Sequence, residues 1–135
     1  MNISKHISLN EATKSPTALR NGIKNEPNAQ QLANMKLVAD KCFEPLREWY
    51  GKPIRINSFF RCDALNKLVK GSATSQHVQG KAIDIDAGSK EENQKLFEWC
   101  KANIKFDQLI NEYDFSWVHI SYNKDNNRNQ ILVIK

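Results

Sequence analysis

From Gln30 to Tyr50 the apolar residues fall at Leu32, Met35, Ala39, Cys42, Phe43, Leu46 and then Trp49 or Tyr50. Steps of three and four put them on one face of an amphipathic helix, and Gly51 closes it. Pro45 removes a backbone donor inside that run, so a kink is expected there. The first 30 residues are polar and punctuated. Ser8-Leu9-Asn10-Glu11 reads as a capping box and Ser15-Pro16 as an N-cap with proline in the first turn, while Asn21-Gly22 stops that short helix. Residues 1–29 are therefore expected to wrap, in two brief helical pieces, on a body formed by residues 30–135.

The pattern then changes period. Ile54-Arg55-Ile56-Asn57 alternates like a short strand, and Asp63 to Val69 reads as a helix ended by Gly71. A loop of small polar residues, Gly71 to Gly80, leads into Lys81-Ala82-Ile83-Asp84-Ile85-Asp86, again with period two. Ser89-Lys90-Glu91-Glu92 reads as a second capping box, opening a helix that carries Leu96, Phe97 and Cys100. The last third reads as strands: Gln108 to Asn111, Trp117 to Tyr122, a polar turn around Asp125-Asn126-Asn127, and Ile131 to Ile134, the last two forming a terminal hairpin. This order predicts an α+β fold, a small, mostly antiparallel sheet with helices packed on one side.

Size and composition narrow the possibilities. At 135 residues the chain makes one domain, and with 40% hydrophobic residues it can bury a core without staples. No run approaches the roughly 18 apolar residues of a membrane span. Met1 to Asn10 holds only Ile3, Ile7 and Leu9 as large apolar residues, which is no secretory core. Synthesis in the cytoplasm without a signal peptide, and no membrane insertion, are expected. Cys42, Cys62 and Cys100 are odd in number and lack a C-x-x-C pair, which argues against a disulfide scaffold or thiolate zinc knuckle. Cys42 and Cys100 fall on apolar helical positions, and nothing marks Cys62 as a nucleophile. The net charge of +5 is moderate, and Lys5, Lys24, Lys36, Lys52, Lys67, Lys70, Lys101 and Lys105 are scattered without a recognition motif. A solvated surface explains them better than a nucleic-acid partner.

Three histidines remain to be placed. His6 lies in an N-terminus expected to fray and receives no role. His77 lies in the small-residue loop, and His119 in Trp117-Val118-His119-Ile120-Ser121. In the first strand Ile83 and Ile85 share one face, leaving Ala82, Asp84 and Asp86 on the other. In the later strand Val118 and Ile120 share one face, leaving Trp117, His119 and Ser121 opposite. If both aliphatic faces turn to the core, Asp84 and His119 project on the same open side, and the loop carrying His77 can swing over it. Two imidazoles and one carboxylate are the protein ligands of an open catalytic zinc site. The plainer alternatives are a hydrogen-bonded packing histidine, and turn or cap roles for Asp84 or Asp86.

Ser75-Gln76-His77-Val78-Gln79-Gly80-Lys81-Ala82-Ile83-Asp84 resembles the S-x-H-x-x-G-x-A-x-D signature of the zinc D-Ala-D-Ala metallopeptidases, which include D,D-carboxypeptidases, vancomycin-resistance dipeptidases and phage endolysins. Trp117-Val118-His119 is similar to the family's second ligand motif, and Ser58-Phe59-Phe60-Arg61 to its upstream S-x-x-R segment. The polar piece with Gly22-Ile23-Lys24-Asn25 and Pro27 resembles the short phage-endolysin-like branch. The resemblance implies that His77, Asp84 and His119 hold one Zn2+ ion. It implies that Arg61 binds the substrate carbonyl or carboxylate and steadies the developing oxyanion, where a surface salt bridge is the bland alternative. Ser75 would orient His77 or contact substrate, and Gly80 would permit a tight turn between loop and strand. Trp117 either walls the cleft or packs in the core.

The chain departs from the family at the general base. Better-known members place a Glu three residues before the final His, where this chain has Ser116, and their Trp directly precedes that His. Glu112 and Asp114 are the candidates. Glu112 is preferred because a turn after its strand could bring it over the metal, whereas Asp114 reads as a residue capping that turn. Asp86 is a distant third. The implied activity is hydrolysis of a peptidoglycan stem-peptide bond next to a D-amino acid, by a monomer acting on the cell wall after release through a partner holin. A basic protein suits an anionic wall. A zinc-containing module that binds a wall or partner without catalysis is the alternative.

Overall fold

The computed structural model describes all residues 1–135. The chain opens on a two-stranded antiparallel hairpin, β1 (Asn2–Ser4) and β2 (Ile7–Ser8). Ile3 and Ile7 are buried, so the N-terminus is anchored and not frayed. His6 is held too: its Nδ1 lies 2.6 Å from Glu44 Oε1, and its backbone N–H donates to Glu44 Oε2 at 2.8 Å. The sequence pattern missed this because the partner carboxylate sits 38 residues away.

Helices α1 (Leu9–Thr13) and α2 (Pro16–Arg20) start as expected, on the Ser8–Glu11 capping box and on Ser15 with Pro16. Asn25 fastens this wrapping segment to the body. Its Nδ2 donates to the carbonyls of Thr13 and Phe60, both at 2.9 Å, and its Oδ1 accepts from the Cys62 backbone N–H at 2.7 Å. Truncating it strands three backbone groups. Asn25→Ala should therefore cost about 2–3 kcal/mol in urea unfolding.

The long amphipathic run forms α3 (Ala29–Val38), a π turn (Ala39–Phe43) and α4 (Glu44–Tyr50). The disturbance expected at Pro45 appears as that π turn, in which the Glu44 N–H bonds to the Ala39 carbonyl. The wider turn takes up the register ahead of the missing proline donor. Gly51, at φ +74°, ends the helix. Next come β3 (Arg55–Ser58) and α5 (Asp63–Leu68). Lys70, at φ +59°, and not Gly71, takes the left-handed position after α5.

The main sheet has the order β3-β4-β6-β5-β7, with β4 at Ala82–Asp86, β5 at Gln108–Glu112, β6 at Trp117–Ser121 and β7 at Gln130–Ile134. Three pairings are antiparallel, but β7 runs parallel to β5. The expected terminal hairpin does not form. Both edges of β6 are already paired, so the chain crosses the start of β5 and adds β7 to its free edge. Helix α6 (Lys90–Asn103) starts on Ser89, whose Oγ accepts from the Glu92 N–H. The reciprocal half of that capping box is absent, because the Glu92 carboxylate goes to Tyr50 and Lys95.

Ile83, Ile85, Leu109, Val118 and Ile120 turn to one side of the sheet, against Met35, Val38, Phe43 and Leu46 and against Leu96, Phe97 and Cys100 of α6. All the large helices cover that face, as expected. The opposite face of β4, β6 and β5 carries the polar groups described next.

Candidate metal centre

Asp84 and His119 are directly opposed in the β4–β6 register, so strand pairing alone brings them together. His119 Nδ1 lies 2.9 Å from Asp84 Oδ1, and His77 Nε2 lies 3.1 Å from Asp84 Oδ2. The loop bearing His77 is docked onto α3 through Gln31 Nε2 to the Val78 carbonyl and Asn34 Nδ2 to the Gln79 carbonyl. Gly80 makes that docking possible. It sits at φ +74°, and a Cβ there would lie 2.5 Å from the Gln31 carbonyl oxygen. Gly80→Ala combines left-handed strain with a backbone collision, so a loss of more than about 2 kcal/mol is expected. Metal affinity should fall with it, which a competition titration against a chromogenic chelator would read.

His77 is buried, and its Nδ1 meets the Phe59 carbonyl at 2.8 Å. A carbonyl can only accept, so Nδ1 carries a proton and Nε2 is the atom turned to the metal site. Nε2 faces a carboxylate oxygen, and either a second ring proton or a bound cation can bridge the two. His119 Nε2 is fully buried without a hydrogen-bond partner. Burial opposes ionisation of Asp84, but the imidazoles, His77 foremost, outweigh it and hold the carboxyl well below the usual range. The donor atoms of His77, Asp84 and His119 lie within 4.8 Å of one another. Two nitrogens and one oxygen at that spacing suit a divalent ion such as zinc, with the remaining position facing open space.

That open side is a cleft of about 940 Å³. Arg61, Ser75, Glu112 and Trp117 all line it with the three ligands. Arg61 Nη2 donates to Ser75 Oγ at 3.1 Å, and the Arg61 backbone N–H bonds to the His77 carbonyl. Arg61 is therefore no surface salt bridge. Trp117 lies on the cleft wall and not in the core, with its Nε1 donating to Glu112 Oε2 at 2.9 Å. Glu112 Oε2 stands 3.9 Å from His119 Nδ1. Burial, and then the Asp84 charge, push the Glu112 carboxyl above its ordinary range.

Asp114 is not in this group. Its side chain is 74% exposed and pairs with Lys90 at 2.8 Å. Asp86 likewise turns away, accepting from Asn93 and the Gly88 N–H. Between Glu112 and Ser116, three consecutive residues, Tyr113, Asp114 and Phe115, have φ between +52° and +58°. Each such non-glycine residue costs about 1–2 kcal/mol, so the turn needs support. The buried Asn93 supplies it, donating to the Phe115 carbonyl at 2.9 Å and to the Ser116 carbonyl, while Asn111 Oδ1 accepts from the Phe115 N–H. Asn93 and the Phe59 carbonyl were not foreseen. A helical asparagine and a backbone oxygen carry no local sequence signal for a site on the other side of the sheet.

A buried and a half-buried imidazole sharing one carboxylate, open on one side to a cleft with an acid and an arginine, define the class of an open-site metallohydrolase. Residues 5–121 match the family described as Peptidase M15, leaving four residues before the match and fourteen after it. The chain belongs to this family of zinc-dependent metallopeptidases, which act on peptidoglycan-type substrates. No curated protein matches the chain. No helix is long and apolar enough to cross a membrane.

Proposed function

We propose that this protein is a zinc peptidase that hydrolyses a peptidoglycan stem-peptide bond next to a D-amino acid, in the manner of a phage endolysin. His77, Asp84 and His119 hold the ion. Zinc bound there supplies Lewis acidity, lowering the pKa of a water and polarising the scissile carbonyl. Glu112 takes the proton from the attacking water and returns it to the leaving amine as the C–N bond breaks. Arg61 steadies the negative charge that develops on the carbonyl oxygen, and Ser75 fixes the guanidinium. Trp117 holds the Glu112 carboxylate in place through its indole N–H. The protein acts as a monomer on the wall after release through a holin.

The convergence of Glu112 and Arg61 on the three-ligand cluster, within one cleft, is the observation that supports this reading most strongly. Mass spectrometry of fragments released from purified peptidoglycan tests it. Zinc-loaded protein should release stem-peptide fragments, His77→Ala should release none, and the masses would name the bond. A folded, zinc-loaded protein that releases nothing would leave a zinc-containing binding module in its place.

A further inference from the structure

The cleft continues past the metal cluster onto the shelf formed by β5 and β7, beyond the last residue matched to the family. Arg128, in the loop that leads into β7, lines this extension. Its Nε and Nη2 donate to Asp107 Oδ1 and Oδ2 at 2.9 and 2.7 Å, and its backbone N–H also reaches Oδ1 at 3.1 Å. Gln76 Nε2 donates to Oδ2 at 2.8 Å. Asp107 is buried with both oxygens saturated, and the Arg128 fork holds it ionised, with its pKa lowered to about 2.

The guanidinium, by contrast, is half exposed. Of its five N–H donors two serve Asp107, and the other three have no protein acceptor. Gln76 directly precedes the ligand His77, so Asp107 and Gln76 fix the position of Arg128 relative to the metal loop. Ile110 lines the cleft and pairs with His119 in the sheet. Gln108 lies one strand over from His119 and two residues along. Gln108 pairs with Gln130, two residues from Arg128, so Arg128 lies at least two residues of an extended peptide, at about 3.3 Å each, from His119. The cleft lining carries Arg61, Lys70 and Arg128 against Asp84 and Glu112, and Asp107 behind Arg128 balances the count, so the subsite offers directed N–H donors and not a net charge.

We propose that Arg128, held by Asp107 and Gln76, forms a subsite that binds a free carboxylate of the peptide substrate about two residues from the scissile bond. A fixed guanidinium edge with unspent donors matches a carboxylate in a way that lysine or a neutral amide does not. The inference rests on the stem-peptide reading above and adds that the substrate is an anionic peptide in which this acid is recognised.

The test uses L-alanyl-γ-D-glutamyl-L-lysyl-D-alanine and two amides of it, one at the glutamyl α-carboxyl and one at the C-terminus. With the zinc-loaded enzyme, one amide should show a kcat/KM about tenfold or more below that of the free acid, chiefly through KM. Arg128→Gln should lower the free acid to the level of that amide and leave the amide unchanged. Its melting temperature and zinc content establish that the variant is folded. Calorimetric titration of the same peptides into zinc-loaded Glu112→Gln protein, with and without Arg128→Gln, gives a readout independent of turnover. Equal treatment of acid and amides, or a preference that survives Arg128→Gln, overturns the subsite while the peptidase reading stands. Peptides that are neither cut nor bound overturn both.

Discussion

Glu112→Gln should abolish stem-peptide hydrolysis while Asp114→Asn leaves it intact. The two acids stand two residues apart, yet a strained left-handed turn sends them to different places. Glu112 reaches the cleft, 3.9 Å from His119 Nδ1, whereas Asp114 points to solvent against Lys90. Removing a positioned proton acceptor is expected to cost about 10²- to 10⁴-fold in kcat. The amide that replaces the carboxylate can still accept from the Trp117 indole, so zinc content and melting temperature should hold. Steady-state rates for the two variants, with zinc measured in the same samples, check this. A large loss in Asp114→Asn with Glu112→Gln active would reverse the assignment.

Chelation should lower stability markedly. Without the ion, only a proton can bridge His77 Nε2 and the Asp84 carboxylate, 3.1 Å apart inside a largely dehydrated site. Zinc present at a thousandfold excess over its dissociation constant stabilises by about 4 kcal/mol. For a domain of this size that corresponds to a rise of roughly 10–20 °C in Tm. Thermal melts with a chelator, then with zinc restored, should show this rise for the native chain. Asp84→Asn should show little of it, because the amide is a poor ligand and brings no negative charge. A Tm indifferent to zinc in the native chain would mean that the cluster does not bind the ion.

Much of the site could be read in the sequence because strand parity is a local rule. Once Ile83/Ile85 and Val118/Ile120 are assigned to the core, Asp84 and His119 must share the other face, and the register sets them opposite one another. The resemblance marked Gly80 as a tight turn between loop and strand, but its close approach to the Gln31 carbonyl depends on a distant helix. What the sequence concealed depends on distant partners. The parallel placement of β7 follows from which sheet edge remains free, a global property that the local pattern after the Asp125 turn does not hold. The ordered N-terminus depends on Glu44 reaching back to His6, and the position of Arg61 on Asn25 reaching across to Phe60 and Cys62. The divergence of Glu112 and Asp114 comes from three non-glycine residues in left-handed conformations, which no propensity would assign to Tyr113, Asp114 and Phe115.

X-ray absorption at the zinc edge of the purified, metal-loaded protein tests the centre most directly. The account predicts one ion per chain in a shell of nitrogen and oxygen only, with two imidazoles at about 2.0–2.1 Å and no sulfur. A scatterer at about 2.3 Å would place zinc on a cysteine, and a shell without imidazole would place it elsewhere on the surface. Either result would contradict His77, Asp84 and His119 as the metal centre of this peptidase.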